Sequence, residues 1–229
     1  YPLKVRKRVE YVTTDMYRPY IDLAKKVFPN ANIVVDKFHI VQLLTRELNK
    51  LRINEMKKLN TRSREYKILK RYWKIPLRKN WELNSIYFYK NIHFKNMTSS
   101  VDILDYMLGK FPNLKEAYDF YQNFLLSISN NDVAMLEDIL NTRTDKIPMC
   151  FRKSIKTLKK LRKYVVNSLK YDYTNAIVEG KNNKIKVIKR VSYGYRSFRN
   201  FKARIMLMER YKIQKGNIHS YNFAMDAAA

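Results

Sequence analysis

The strongest constraint on this chain is a pair of short apolar segments, each running directly into an aspartate. Residues 9–14 (Val-Glu-Tyr-Val-Thr-Thr) are rich in β-branched and aromatic side chains, and Asp15 follows at once. Residues 17–28 read as a helix with Tyr20, Leu23, Ala24, Val27 and Phe28 on its apolar side and Pro29-Asn30 as its stop. Residues 32–35 (Asn-Ile-Val-Val) form the second segment, followed directly by Asp36. Strand, helix, strand at this spacing predicts a βαβ unit with parallel strands. Parallel neighbours end on one edge, so Asp15 and Asp36 are expected together where open α/β sheets bind ligands. The plainer alternative is that each aspartate caps the helix after it.

From Phe38 onward the periodicity is helical. Ile40, Leu44, Leu48 and Leu51 mark one stripe through residue 59. Residues 61–95 are basic and aromatic. Their rings serve either as helix-packing core, with the lysines solvated, or as platforms for unpaired bases. Ser99-Ser100 cap a helix over 101–108 that Gly109 ends, and Pro112 opens another to about 128. Asn130-Asn131 cap an acidic helix over 132–140, and Pro148 precedes one long basic helix to 169. A loop at 171–174, a helix carrying Glu179, a turn at 192–195 and a last helix over 197–212 complete the reading. The expected class is α/β but mostly helical, with a sheet segment over 1–38 and a helical insertion over 39–174. Core helices over 175–212 and a tail over 213–229 follow. Two strands alone cannot bury both faces of a sheet, so either further strands lie upstream of Tyr1, the favoured reading, or the helices cover an undersized sheet.

Charge narrows the partner. Lys and Arg number 47 against 20 Asp and Glu, a formal charge of +27. A chain this basic calls for a polyanion, and nucleic acid leads. No apolar run reaches the length of about 20 residues that spans a bilayer. The basic residues are spread along the chain rather than along one amphipathic helix, which disfavours a membrane surface. The lone Cys150 excludes disulfides and Cys-based zinc sites within these residues and suits a reducing interior.

Within residues 175–190 Glu179 is the single acid, among Lys181, Lys184, Lys186, Lys189 and Arg190. At about 100° per residue, Asn182, Asn183, Lys186, Lys189 and Arg190 share one side with Glu179 near its middle. Ile177, Val178, Ile185, Val187 and Ile188 share the other. A carboxylate so framed suits a metal and a polyanion together. Equally, it suits a solvated face on which Glu179 pairs with Lys186 or Asn183. Acids at strand ends, an acid on a distant helix and strong positive charge fit phosphodiester chemistry on divalent ions such as Mg²⁺ or Mn²⁺, which prefer oxygen ligands.

Four ordered stretches carry a resemblance: Thr14-Asp-Met-Tyr-Arg-Pro-Tyr20, Val35-Asp-Lys-Phe-His39, 175–186 (Asn-Ala-Ile-Val-Glu-Gly-Lys-Asn-Asn-Lys-Ile-Lys), and 190–198 (Arg-Val-Ser-Tyr-Gly-Tyr-Arg-Ser-Phe) with Arg204. In order and spacing they resemble bacterial insertion-sequence transposases of the ISL type, DDE enzymes with an RNase H-like core. The resemblance runs from about residue 9 to 207. It implies Asp15 as the second catalytic aspartate and Glu179 as the catalytic glutamate, both metal ligands, with Asp36 in a motif beside the site. It also implies a two-metal Mg²⁺ or Mn²⁺ site, transposon-end and target DNA as partners, self-association, and action on the nucleoid in a bacterial cytoplasm. Asn183, Lys186, Lys189 and Arg190 are the expected phosphate contacts, with Arg196, Arg199 and Arg204 behind them. The family's first catalytic aspartate has no match in residues 1–14, which points to an N-terminally truncated chain and to possible inactivity of this piece. A purely DNA-binding protein and an RNase H-like nuclease or resolvase are the competing functions. His39 is expected to be packed or hydrogen-bonded rather than a metal ligand.

Overall fold

Residues 1–210 are described in the computed structural model. It divides into two units, Tyr1–Asn175 and Ala176–Ala229. A single turn, α1 (Leu3–Arg6), leads into β1 (Tyr11–Thr14), α2 (Arg18–Val27) and β2 (Asn32–Val35). The two strands pair in parallel, with Tyr11 opposite Asn32 and Thr14 opposite Val35. On α2 the buried residues are Ile21 and Ala24, while Tyr20 and Leu23 are exposed, which corrects the predicted face. A two-stranded sheet has width for one row of side chains, and two residues three apart on a helix fill it.

The next helix, α3 (Lys37–Lys57), is the spine of the first unit, with Ile40, Leu44 and Leu48 fully buried as their spacing predicts. Around it lie α4 (Arg64–Arg71), α5 (Ser100–Lys110), α6 (Pro112–Ser129), α7 (Val133–Asn141), α8 (Arg152–Lys160) and α9 (Arg162–Lys170). Their large core side chains include Tyr121, Phe124 and Phe151. Between α3 and α4 the link is polar. Buried Arg52 donates to the carbonyl of Leu69 at 2.6 Å, satisfying an acceptor in the last turn of α4 that has no partner within its own helix.

Caps set several boundaries. Ser99 and Asp102 form a reciprocal capping box at the start of α5, so Ser99 alone is the cap; Gly109 lies inside the helix rather than past it. Asp132, not the Asn pair before it, caps α7 by accepting from the N–H of Met135. Asn131 instead takes the left-handed conformation (φ 55°) that ends α6. The single basic helix expected after Pro148 is broken at Leu161 into α8 and α9. The break keeps α8 on α3 and lets α9 turn onto β2, where Asn167 donates to the carbonyl of Ile33 at 2.9 Å.

The second unit pairs α10 (Ala176–Val191) with α11 (Phe198–Arg210). The intervening turn uses positive φ at Tyr193 and Gly194, the latter at 103°, where glycine avoids the strain of a side chain. Lys184 joins the helices by donating to the carbonyl of Met208. Of the apolar side predicted for α10, only Ile188 is buried and Ile185 half-buried; Ile177, Val178 and Val187 are exposed. Two paired helices bury one line of contact, not a broad face. The predicted end of the last helix at 212 and the tail over 213–229 lie outside the described residues. Among those described, no helix is long and apolar enough to cross a membrane.

Candidate functional site

The parallel register puts Asp15 and Asp36 one residue beyond the last paired positions, Thr14 and Val35, on the same sheet edge. Their side chains then differ sharply. Asp36 is 5% exposed. Its N–H extends the ladder to the carbonyl of Thr14 at 3.1 Å. One carboxylate oxygen, Oδ1, accepts from the N–H of Phe38 at 2.8 Å, which caps α3. The other, Oδ2, accepts from the N–H of Asn175 at 2.8 Å and the hydroxyl of Thr174 at 3.1 Å. Both oxygens are committed to holding chain in place.

Asp15 caps nothing. The N-cap of α2 is Tyr17, which has no side-chain capping bond. The side chain of Asp15 is 47% exposed, and its Oδ1 lies 2.8 Å from Nε2 of His39. A longer contact of 3.4 Å reaches it from the side-chain amide of Asn175. Asp15 is thus an accessible carboxylate steadied on one oxygen by two neighbours. His39 is hydrogen-bonded as expected, and its partner is Asp15. The signal was available: His39 sits three residues after Asp36 in the first turn of α3, a helix that starts at the same sheet edge.

A short strap carries Asn175 to this edge. Tyr171 and Tyr173 pack their rings 4.9 and 4.6 Å from that of Tyr11 on β1. Asp172 pairs with Lys37 at 3.2 Å, though the acid is almost fully exposed and the pair is worth little in water. Thr174 and Asn175 then dock on Asp36. Residues 171–175 therefore fasten onto residues 11–37, closing a span of 139 residues between Asp36 and Asn175.

In the second unit Glu179 lies in the first turn of α10, where an acid favours the helix N-terminus, and Lys189 and Arg190 lie in the last turn. Glu179 is exposed and forms no ion pair among the described residues. Asn183, Lys186, Lys189 and Arg190 are exposed on α10, as are Arg196 in the turn and Arg199 and Arg204 on α11. Residues 183, 186 and 190 are three and four apart and share a face.

Asp15 has the donor chemistry that Mg²⁺ and Mn²⁺ select, an accessible carboxylate oxygen. It does not make a set by itself. Among the described residues, no three His, Cys, Asp or Glu side chains converge. Asp36 already accepts three hydrogen bonds, at least one on each oxygen.

Comparison with known proteins gives two results. The sequence profile of a transposase family, the ISL3 type of DDE transposase, matches residues 1–205. A curated protein of Lactococcus lactis subsp. lactis, named ATP-dependent protease, is 39% identical over 121 residues. That match covers 53% of this chain and only 38% of the Lactococcus protein. No solved structure matches.

Proposed function

We propose, on the premise that this chain belongs to the ISL3-type DDE transposase family, that it takes part in cutting and joining insertion-sequence DNA. Asp15 and Glu179 would hold the divalent ion, and Asp36 would position the chain around it. The contrast between the two aspartates supports these roles: Asp36 is buried and spends both oxygens on backbone and hydroxyl donors, while Asp15 is accessible and caps no helix.

Ions bound there would activate the attacking oxygen and stabilise the leaving one. The chain's own residues do the rest. His39 and Asn175 hold Oδ1 of Asp15 and so fix the direction in which the carboxylate presents itself. The strap anchored on Asp36 ends at Asn175, and Glu179 follows four residues later in the sequence. Lys186, Lys189 and Arg190, with Asn183, supply phosphate contacts that read no sequence; Arg196, Arg199 and Arg204 extend them. Nothing in the residues supports transferring the name of the Lactococcus protein. The four glycines, at 109, 180, 194 and 216, leave no Gly-x₄-Gly-Lys-Ser/Thr loop for a nucleotide phosphate.

Mn²⁺ titration of the full chain, read by the loss of the free-ion resonance, tests the ligand pair. Asp15→Asn and Glu179→Gln should each weaken Mn²⁺ binding about tenfold or more. Unchanged affinity in both variants would remove the proposed site. A second assay offers a pre-cut transposon end and target DNA with Mn²⁺. Joined products mark a transposase, and cleavage without joining marks a nuclease.

A further inference from the structure

We propose that residues 61–98 form a second nucleic-acid surface, distinct from the Asp15 edge, which takes unpaired bases of single-stranded DNA by stacking. Tyr72 and Phe94 pack against the core, but four other rings of the segment do not. Trp73 is 40% exposed, Trp81 48%, Tyr87 76% and Phe88 51%. An ordered protein seldom leaves so many large rings of one short segment in water unless they have a partner.

The partner's chemistry follows from charge. Residues 61–98 carry ten Lys and Arg against two acids, Glu65 and Glu82. An apolar protein surface would not select for so strong an imbalance, whereas a polyanion with π-faces matches both halves of the pattern. Cations already stand over the rings: Lys74 lies 5.4 Å from the Trp73 centroid and Lys79 5.7 Å from that of Trp81. Such exposed pairs are weaker than base stacking, so a base can take the ring while the lysine moves to the adjoining phosphate.

The backbone that carries Tyr87 and Phe88 is also held in place. Asn84 Oδ1 accepts from the N–H groups of Ile86 and Tyr87 at 3.1 and 2.9 Å. Tyr89 bridges to Thr98 in antiparallel fashion. Tyr72 donates to Asn91 at 2.7 Å, and Arg64 to the carbonyl of His93 at 2.6 Å. The segment bearing Tyr87 and Phe88 is therefore pinned to α4 and its C-terminal end. A surface ordered in advance loses less freedom on binding.

Trp73 and Trp81 are the two tryptophans of the chain, so intrinsic fluorescence reports on this lobe. A thymidine oligonucleotide added to the full chain should quench it, and a duplex of equal length should not. The pair Tyr87→Ala and Phe88→Ala should weaken single-strand binding by about tenfold or more, with duplex affinity unchanged. Trp81→Tyr keeps a ring and should retain binding, while Trp81→Ser should lose part of it. Lys74→Gln with Lys90→Gln should flatten the salt dependence by about 0.7 per charge. Equal losses for single strand and duplex, with unchanged melting curves, would overturn stacking in favour of plain charge attraction. Quenching by anionic vesicles but not by the oligonucleotide would assign the lobe to a lipid surface and end the proposal. Neither result depends on Asp15 or Glu179.

Discussion

The backbone N–H of Asn175 donates to Oδ2 of Asp36 at 2.8 Å across 139 residues of chain. This bond makes Asp36 a structural hub rather than a free acid. Asp36→Ala removes the cap of α3, a loss of about 0.5–2 kcal/mol. It also removes the acceptor of the half-buried N–H of Asn175, at about 1–3 kcal/mol. Urea unfolding should show a destabilisation of about 1.5–5 kcal/mol. A change under about 0.5 kcal/mol would mean that the strap is held by its tyrosines alone.

Asp15 should behave in the opposite way. Its contact with His39 is partly exposed, and such pairs contribute about 0–1 kcal/mol. His39→Ala should therefore leave the unfolding midpoint nearly unmoved. By freeing the Asp15 carboxylate it should weaken Mn²⁺ binding about tenfold, the usual effect of losing a residue that orients a ligand. His39→Gln, which retains an N–H donor, should recover much of that affinity. Full affinity in His39→Ala would remove His39 from the site.

Duplex binding should depend on the exposed cations of α10. Each phosphate contact contributes about 0.9 to the slope of log affinity against log salt. Replacing Lys186, Lys189 and Arg190 together with Gln should flatten that slope by about 2–3, whatever the DNA sequence. An unchanged slope would move the duplex-binding surface elsewhere on this basic chain.

Local signals were legible in the sequence, and long-range closures were not. Two apolar runs with aspartates at their ends announced the parallel pair, because strand, helix and strand at that spacing have one common solution. The stripe of Ile40, Leu44 and Leu48 announced the spine for the same reason. Asp36 and Asp15 looked alike, however, since each simply follows a strand. Only the arrival of Thr174 and Asn175 from the far end of the first unit separates a buried anchor from an accessible acid. Spacing could not report the break at Leu161 either, because only the part after it, α9, packs against β2 from far along the chain. The aromatics of 61–95 stayed ambiguous, because spacing does not name the neighbours that cover a ring: Tyr72 and Phe94 pack on the core, while Trp73, Trp81, Tyr87 and Phe88 stay outside.

His93 supplies a pH test of the same lobe. Its burial, and then the charges of Arg71, Lys67 and Arg64, hold the imidazole below the usual histidine range. A depressed histidine binds its proton more readily in the unfolded chain than in the folded one. Stability should therefore rise with pH through the window below about 6.5, where the unfolded form carries the extra proton, and level off above it. Thermal melts between neutral and mildly acidic pH should show this loss on acidification. In His93→Gln the same interval should be flatter, because no group remains there to take up the proton on unfolding. Bound oligonucleotide should blunt the effect in the unsubstituted chain, since phosphates near Arg71 and Lys67 would offset the cations that disfavour protonation. If the melts of the two chains track each other across the interval, His93 is not the source of the acid sensitivity, and the cluster of cations around it is less confined than the contacts imply.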